Sequence, residues 1–525
     1  MLVNVFVLVC LIAVGSLYGY VRYELGRIAT KPAGSETPEG GQVGGGTVPR
    51  SIVDAAAGLK PENILLIGNQ TRQGLTPYEQ QLFGSSLTLS GTLADIIMVL
   101  HLDPAKDTAS LLSIPRDLFV PMPAGSAVGS FQKIDAALNN GANGPNNLIK
   151  AIQEDWGIPI NHFVELNFNG LINAINAIGG INVYFPYPVF DAFSLLNIPT
   201  PGCHHLDGFY ALTLVRARHL QYEPPGVHEP VADWPYDPNS DLARIERTHT
   251  FLKIVVDKIK KEGLASPTRA LSFINAIVSD ITVDPALKSE LVKLVVHYRH
   301  LNVNLIHPQT LPTSPVNSYS FNGYSVGDVL FPVEPNDLNT IKAWDPTALP
   351  APVKPSAVNV VSIAGSSSQA LTASQELTSD GLKVASETVG AVPSATTETY
   401  VVYRSGEVAQ ALYVMKYLSG PVMMEVSSSV PAGTIQLQLG SLVDVSSKLA
   451  RTSPATSPAT AATSSTTAPT TSASSTPASS SPASSSPAHP SLPATTTTVP
   501  TPGGIPASPA SGIKEPWDPR ACPTT

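Results

Sequence analysis

Charged side chains and cysteines are both scarce in this chain. Asp, Glu, Lys and Arg together make up 14% of its 525 residues, and the net charge is −9. Nucleic-acid binding depends on a basic surface, so this balance argues against nucleic acid as a partner. Three cysteines, Cys10, Cys203 and Cys522, are too few for a disulfide framework. An oxidising compartment would allow a bridge between Cys203 and Cys522, but we predict a buried free thiol at Cys203.

Charge is missing altogether from residues 2–21, which are rich in Leu, Val, Ile and Phe. About 20 such residues form roughly 30 Å of helix, enough to cross a bilayer. We therefore predict a transmembrane anchor at 1–21. The alternative is a cleaved signal peptide, which would have a shorter apolar region and a basic start. Arg22, Arg27 and Lys31 follow the apolar run, and that bias alone would keep the rest of the chain inside.

A second uncharged tract lies between Arg451 and Lys514 and consists mainly of Ser, Thr, Pro and Ala. Such a tract buries too little apolar surface to offset its ordering entropy. We predict a disordered tail over 447–525. The Gly-rich and Pro-rich residues 22–60 predict a flexible stalk.

Short apolar runs alternate with longer amphipathic stretches between residues 61 and 303. The runs 63–68, 96–102 and 109–114 are typical of buried strands, whereas 148–156, 169–178 and 241–261 have helical spacing. This alternation predicts an α/β fold of layered α-β-α type with a mixed sheet. Residues 304–356 are predicted to be a linker.

A further α/β unit is predicted at 357–446. Strand-like runs at 358–363, 400–403, 422–426 and 436–439 surround helix-like stretches at 369–377 and 407–418. About 90 residues suffice for a small domain. No catalytic cluster occurs in it, so we interpret it as a binding unit.

Arginines are concentrated with two acids between residues 216 and 247, and one more follows a strand-like run at 111–114. The residues are Arg116, Arg216, Arg218, Asp241, Arg244, Glu246 and Arg247. Guanidinium groups are rigid forks that match phosphate oxygens in pairs. In an acidic protein this cluster predicts a site for a small phosphorylated ligand.

Spacing leaves the geometry of this cluster open. Arg244 and Arg247 are three residues apart and share a helix face, which would also fit a solvated face with ion pairs. Arg216 and Arg218 share a side if their segment is extended. If the segment ends a helix that begins near Asp207, the two side chains diverge by about 200°.

An ordered series of short motifs resembles the LytR-CpsA-Psr family over residues 63–260. The motifs are Leu65-Leu66-Ile67-Gly68, Ala94-Asp95-Ile96-Ile97, Ser113-Ile114-Pro115-Arg116-Asp117, Lys133-Ile134-Asp135-Ala136-Ala137, Asn167-Phe168-Asn169-Gly170, Ile178-Gly179-Gly180, Leu206-Asp207-Gly208, Arg216-Ala217-Arg218 and Asp241-Leu242-Ala243-Arg244-Ile245-Glu246-Arg247. Residues 357–445 resemble the LytR C-terminal domain of actinobacterial members.

The resemblance implies an enzyme of the cell membrane, anchored by a single span, with its catalytic domain on the extracytoplasmic side. Such an enzyme would transfer a glycopolymer from a polyprenyl pyrophosphate carrier to peptidoglycan and form a phosphodiester link. An apolar tunnel between sheet and helices would take the lipid tail.

The resemblance also implies roles for individual residues. Asp95 would hold a divalent cation such as Mg²⁺, with Gln70 as a second ligand. Arg116, Arg216 and Arg218 would bind the pyrophosphate and, with Asp95, form the catalytic set. The remaining substrate-binding residues would be Lys133, Asp241, Arg244, Arg247 and Arg72. Without the resemblance, Asp95 would be interpreted as a carboxylate that caps a strand, and Lys133 would be interpreted as a surface lysine.

Two positions depart from the usual family pattern. Gln70 stands where the family has an aspartate, and Leu93 stands where it has an arginine. An amide oxygen can bind a cation but brings no charge, so metal affinity falls. These departures favour one alternative, a non-catalytic scaffold that holds polyprenyl pyrophosphate or wall glycan. A second alternative, a lipid pyrophosphatase, differs from the transferase only in using water as acceptor.

Overall fold

A computed structural model describes residues 27–31, 60–83, 92–259, 279–298, 306, 308–390, 398–446 and 515–523. Within these residues no helix is both long and apolar enough to cross a membrane. The predicted anchor, 1–21, lies outside the described residues.

The described strands and helices follow the chain in this order. The strands are β1 (Ala29–Thr30), β2 (Glu62–Asn69), β3 (Ala94–Asp103), β4 (Thr108–Ser113), β5 (Phe119–Pro121), β6 (Phe131–Lys133), β7 (His162–Leu166), β8 (Ile181–Phe185), β9 (Val189–Asp191), β10 (Leu196–Ile198), β11 (Gly202–Leu206), β12 (Gln221–Tyr222), β13 (Ile281–Val283), β14 (Pro308–Thr310), β15 (Thr313–Phe321), β16 (Tyr324–Pro332), β17 (Ala357–Ser362), β18 (Val384–Val389), β19 (Thr399–Tyr403), β20 (Leu418–Ser419), β21 (Val422–Val426), β22 (Thr434–Leu439), β23 (Asp444–Val445) and β24 (Arg520–Ala521). The helices are α1 (Pro77–Phe83), α2 (Gly144–Trp156), α3 (Phe168–Ala177), α4 (Gly208–Arg216), α5 (Ser240–Lys258), α6 (Pro285–Tyr298), α7 (Asn336–Trp344), α8 (Ser367–Ser379) and α9 (Val408–Met415).

The central sheet has seven strands in the order β1-β13-β7-β2-β3-β4-β14. Strand β2 runs parallel to β7 and antiparallel to β3, and β4 runs antiparallel to β3 but parallel to β14. The predicted mixed sheet is therefore confirmed.

Apolar side chains alternate between the two faces of this sheet, as the twofold period of a strand requires. Leu65, Val99 and Leu112 pack on one face in a core that includes residues of helix α2. On the other face, Leu66 and Met98 line a cavity bounded by helices α3, α4 and α5. Helices on both faces give the predicted α-β-α layers.

Residues 304–356 are not the linker that we predict. Strand β14 joins the central sheet beside β4, and β15 and β16 form a hairpin. Ile341 and Trp344 of helix α7 belong to the same core as Leu112 and Trp156. The segment completes the first domain because it covers apolar surface that the sheet would otherwise expose.

The predicted stalk and the predicted tail each contain an ordered part. In the stalk, β1 pairs in parallel with β13 at the edge of the central sheet. In the tail, β24 pairs with β8, and Cys522 forms a disulfide with Cys203. Cys203 is thus neither a free thiol nor buried, and our prediction for it is wrong.

Residues 357–446 form a five-stranded sheet in the order β18-β17-β22-β19-β21, covered by helices α8 and α9. Its strands agree with the predicted runs, apart from β18, which the sequence did not indicate. Phe119 and Phe331 lie in one buried cluster with Tyr400 and Met423 of this unit. This cluster joins the unit to the first domain through the β5–β6 and β15–β16 hairpins.

Candidate functional site

The candidate site lies where strand β3 begins and strand β4 ends, next to the start of helix α5. Asp95 is the second residue of β3, and Arg116 follows β4 by three positions. These two positions are neighbours because β3 and β4 are an antiparallel hairpin. The turn at 104–107 closes the hairpin at its far end, with Asp107 at φ 53°.

Asp241, in the first turn of α5, is a buried carboxylate surrounded by arginines. Its Oδ1 atom lies 2.9 Å from Nε of Arg244 and 2.9 Å from Nε of Arg218. Nε of Arg116 is 3.9 Å from the same oxygen. Burial alone would raise the pKa of Asp241, but Arg244 and Arg218 lower it well below its usual range. Asp241 therefore stays ionised and holds three guanidinium groups together.

Asp117 forms a second node of the network. It accepts hydrogen bonds from Nζ of Lys133 at 3.0 Å and from Nη2 of Arg218 at 2.8 Å. Arg116 pairs with Asp95 and lies 3.5 Å from Asp117. Burial tends to lower the pKa of Arg116, but Asp95 and the neighbouring acids raise it above its usual value. Arg116 is thus a permanently charged group at the centre of the network.

Asp135 is a further carboxyl group of this region, and the neighbouring cations do not fully stabilise its ionised form. It follows the β6 strand and is buried, and its backbone N–H donates to the carbonyl oxygen of Arg116. Burial raises its pKa to about 7, although Arg116 acts in the opposite direction. The charge of this side chain therefore changes near neutral pH.

Arg216 differs from the other arginines of the site. Its guanidinium group lies 4.8 Å from the ring centroid of Phe83 and 4.9 Å from that of Phe168. Nη1 is buried and has no hydrogen-bond partner among the described residues. Burial lowers the pKa of Arg216, and Arg72 acts in the same direction. A buried N–H donor of a cation is costly to leave without a partner, and an anionic ligand would supply one.

An apolar cavity of about 220 Å³ opens beside Arg216. Asp95 at the start of β3, Asn69 at the end of β2 and Arg244 on helix α5 line one end of it. Leu66 and Met98 line it further along the two strands. Val164 and Leu252 also belong to its lining. A ligand with an anionic head and an apolar tail would fit this arrangement.

Cationic groups exceed carboxylates at the polar end of the cavity. The six cationic side chains in and beside it are Arg72, Arg116, Lys133, Arg216, Arg218 and Arg244, and the five carboxylates are Asp95, Asp117, Asp135, Asp191 and Asp241. The excess positive charge is what a pyrophosphate requires.

A family model described as the LytR_cpsA_psr family matches residues 43–341. The match covers more than half of the chain. This chain belongs to the LytR-CpsA-Psr family.

Relatives of this LytR-CpsA-Psr protein include a "Probable cell wall biosynthesis protein LcpB" from Corynebacterium glutamicum. It is 30% identical over 269 residues, which are 51% of this chain and 57% of the relative. The polyisoprenyl-teichoic acid–peptidoglycan teichoic acid transferase TagV of Bacillus subtilis is 31% identical over 171 residues, or 32% of this chain and 39% of TagV. The chain spans little more than half the length of the first relative and less of the second.

A LytR-Csp2A-Psr enzyme from Actinomyces oris is a similar solved structure. It is 22% identical, the TM-score is 0.41, and the match covers 54% of this chain and 89% of that one.

The structure brings together most of the residues that the sequence of this LytR-CpsA-Psr protein singles out, but it places Arg247 elsewhere. Arg247 is 1% exposed and donates to Asp237 at 2.6 Å and to Asp518 at 3.3 Å. Its Nη2 atom donates to the carbonyl oxygen of Ala217. Arg247 is therefore a buried anchor for the segment that carries Arg218, and it does not line the cavity.

Arg216 and Arg218 follow the second of the two predicted geometries. Asp207 caps helix α4 through its carboxylate, and Arg216 is the last helical residue. Arg216 therefore lies against Phe83 and Phe168, whereas Arg218 pairs with Asp117 and Asp241.

Asp117 and Asp135 are site residues that sequence reasoning did not select. Asp117 directly follows Arg116, and Asp135 is two positions after Lys133, within motifs of the family. This closeness to selected cations was the available signal, but only the fold shows that the two motifs meet.

Gln70 lies close to the start of the strand that carries Asp95. The backbone N–H of Gln70 donates to the carbonyl oxygen of Leu93, which places Gln70 across from the start of β3. Arg72, two residues on, donates to the carbonyl oxygens of Gln70 and Phe83. A carboxylate and an amide oxygen are donors of the kind that Mg²⁺ accepts, although the carboxylate of Asp95 pairs with Arg116 in this structure.

Proposed function

We propose that this protein is a membrane-anchored phosphotransferase that moves a glycopolymer from a polyprenyl pyrophosphate carrier to peptidoglycan. The observation that carries the proposal is the buried Nη1 atom of Arg216, which has no hydrogen-bond partner among the described residues and lies at the junction of the cationic network and the apolar cavity. A pyrophosphate bound there would pair with Arg216, and the lipid next to it would enter the cavity between sheet and helices. TagV, a relative by sequence, is named as a transferase of this kind.

The arginine network is suited to the charge that develops during phosphoryl transfer. The acceptor hydroxyl would form a new bond to the phosphorus that carries the glycan, and the bridging P–O bond would break. Polyprenyl phosphate would leave, and the hydroxyl proton would be released. Arg116, Arg216 and Arg218 would stabilise the negative charge on the transferred and leaving phosphates.

Mg²⁺ is the proposed cofactor, held by Asp95 and Gln70 together with phosphate oxygens. Bound there, the ion would neutralise charge on the pyrophosphate. Arg244 and Lys133 hold Asp241 and Asp117 in place and would thereby keep the site rigid.

The extracytoplasmic side of the cell membrane is the proposed location. The Cys203–Cys522 disulfide supports this, because disulfides persist in oxidising compartments and are rare in the cytosol. Residues 1–21 would provide the single membrane span. The 357–446 unit is proposed to be a LytR C-terminal domain with a binding role.

Product analysis with the purified full chain tests the proposal. The chain is incubated with a polyprenyl pyrophosphate-linked glycan and peptidoglycan, with and without Mg²⁺. We expect glycan joined to peptidoglycan through a phosphodiester, and release of polyprenyl phosphate, only when Mg²⁺ is present.

Other products of the same reaction identify the alternatives. Free phosphorylated glycan, formed equally with and without peptidoglycan, would indicate a pyrophosphatase. Binding of the lipid without turnover would indicate the scaffold. Either result would overturn the proposed transfer.

A further inference from the structure

Three side chains with metal-binding groups meet at the edge of the central sheet that is opposite to the cationic network. Glu62 is the first residue of β2, His162 is the first residue of β7, and Glu290 lies on helix α6. Strands β2 and β7 are parallel neighbours, so both begin at this edge. The eight residues of β2 separate this edge from Asp95 by roughly 25 Å. This group is therefore independent of the proposed transferase site.

Their ligand atoms face one another. One imidazole nitrogen of His162 and one carboxylate oxygen from each glutamate all lie within 4.8 Å of one another. Oε2 of Glu62 is 3.6 Å from Nε2 of His162. That oxygen is buried and accepts no hydrogen bond from any residue that the structure describes.

His162 is oriented by a carboxylate on its other side. Nδ1 of His162 lies 3.0 Å from Oδ1 of Asp284, which also accepts from the backbone N–H of Leu287. Oδ2 of Asp284 accepts from the N–H of Phe163. If Nδ1 donates to this fixed carboxylate, Nε2 of a neutral imidazole presents its lone pair to Glu62. Carboxylate–histidine pairs of this kind commonly orient metal ligands.

Negative charge exceeds positive charge at this edge. Asp284, Glu62 and Glu290 surround one imidazole, which is nine-tenths buried. Burial raises the pKa of Glu62, and Glu290 and Asp284 raise it further while His162 opposes them. A divalent cation would relieve this repulsion.

We propose that Glu62, His162 and Glu290 bind one divalent transition-metal ion of the Zn²⁺ type. An imidazole nitrogen with two carboxylates is a donor set for Zn²⁺, whereas Mg²⁺ and Ca²⁺ prefer oxygen ligands throughout. Zinc bonds of about 2.1 Å bring ligand atoms to roughly 3.5 Å from one another, so the two glutamates need only a small rotation. The bound ion would link helix α6 to the first residues of β2 and β7.

Metal binding to the purified full chain tests this site without any measurement of transfer. After dialysis against a chelator, Zn²⁺ is titrated by calorimetry, and Tm is recorded with and without the ion. We expect one Zn²⁺ per chain and a higher Tm in its presence. Glu290→Gln keeps the size of the side chain, and we expect it to weaken binding by more than about 100-fold, since even an outer partner of a metal ligand contributes about 10- to 100-fold.

Glu376→Gln is the matched control, because Glu376 is another half-buried helical glutamate. It should bind Zn²⁺ as the unaltered chain does. Glu62→Gln provides a second disrupting variant if Glu290→Gln does not fold. Absence of stoichiometric binding would overturn the proposal, and so would binding that survives in both variants, since the ion would then lie elsewhere, for example at the exposed His205.

Discussion

Arg247, which is buried, and Arg216, which is partly buried, differ in what their guanidinium groups contact. Arg247 is enclosed by Asp237, Asp518 and the carbonyl oxygen of Ala217. Arg216 lies over two aromatic rings and forms no ion pair with the described residues. The first arrangement satisfies the charge within the protein, whereas the second leaves it for a ligand.

Arg247→Ala should therefore destabilise the fold. The change leaves Asp237 and Asp518 buried without a cation, which costs about 3–5 kcal/mol of unfolding free energy. Urea denaturation followed by circular dichroism measures this. Arg404→Ala, at an exposed arginine, is the control and should change the free energy by less than about 0.5 kcal/mol. Equal stability of the two variants would contradict the role given to Arg247.

Asp135 should make ligand binding depend on pH. Its pKa is raised to about 7, so the side chain is neutral below that pH and adds a negative charge beside Arg116 above it. Affinity for a pyrophosphate diester should therefore fall, by about tenfold, as pH rises from about 6 to about 8. Calorimetric titration across this range measures the effect. In Asp135→Asn the dependence should disappear; if it persists unchanged, another group is responsible.

At the scale of residues, sequence indicated which charges matter but not how they pair. The arginines and Asp241 could be selected from their motifs. Arg247 turns away from the cavity because it pairs with Asp237 and Asp518. Asp518 lies 271 positions further along the chain. Local spacing carries no information about such a partner.

The ordered C-terminal segment, residues 515–523, acts as a strap on the first domain. Trp517 stacks on Tyr222 with ring centroids 3.8 Å apart, and Asp518 reaches Arg247. Arg520 and Ala521 add a short strand beside β8, and the disulfide from Cys522 closes the contact covalently.

Loss of the disulfide should loosen this strap. The double variant Cys203→Ser, Cys522→Ser is expected to lose about 2–4 kcal/mol of stability, because the cross-link restricts the unfolded chain. Thermal unfolding with and without a reducing agent measures this. Reduction should lower the Tm of the unaltered chain but not that of the double variant. A reductant effect of equal size in both would show that it does not act through this bond.

At the scale of elements, long apolar runs located the strands and helices of both domains well. The predicted strand 63–68 is β2, and the predicted helix 148–156 lies within α2. The segment 304–356 was predicted as a linker because β14 has only three residues, and because β15 and β16 are only partly buried and carry few apolar residues in a row. Strand β18 is mostly exposed and polar, and therefore lacks an apolar signal.

The whole molecule is held together by contacts that cross the predicted domain boundaries. Ile341 and Trp344 lie in the core of the first domain, and Tyr403 of the second domain donates to the carbonyl oxygen of Glu154. A fragment limited to residues 61–303 lacks these contacts.

That fragment should not fold stably. Each large apolar side chain lost from the core removes about 1.5–3 kcal/mol, and a few such losses equal the stability of a typical domain. Circular dichroism and gel filtration should show an unfolded or aggregated fragment, whereas residues 27–446 should give a cooperative unfolding transition. Cooperative unfolding of the 61–303 fragment would contradict this.

The most direct test of the central claim is the effect of Arg216→Ala on polyprenyl pyrophosphate binding and glycan transfer by the full chain. Loss of a guanidinium group that forms no ion pair with the described residues should weaken lipid binding by about 10- to 100-fold and slow transfer by at least ~100-fold, while Tm stays close to that of the unaltered chain. Arg404→Ala should behave as the unaltered chain in both assays. Undiminished binding and transfer in folded Arg216→Ala would show that the pyrophosphate does not bind at this end of the cavity.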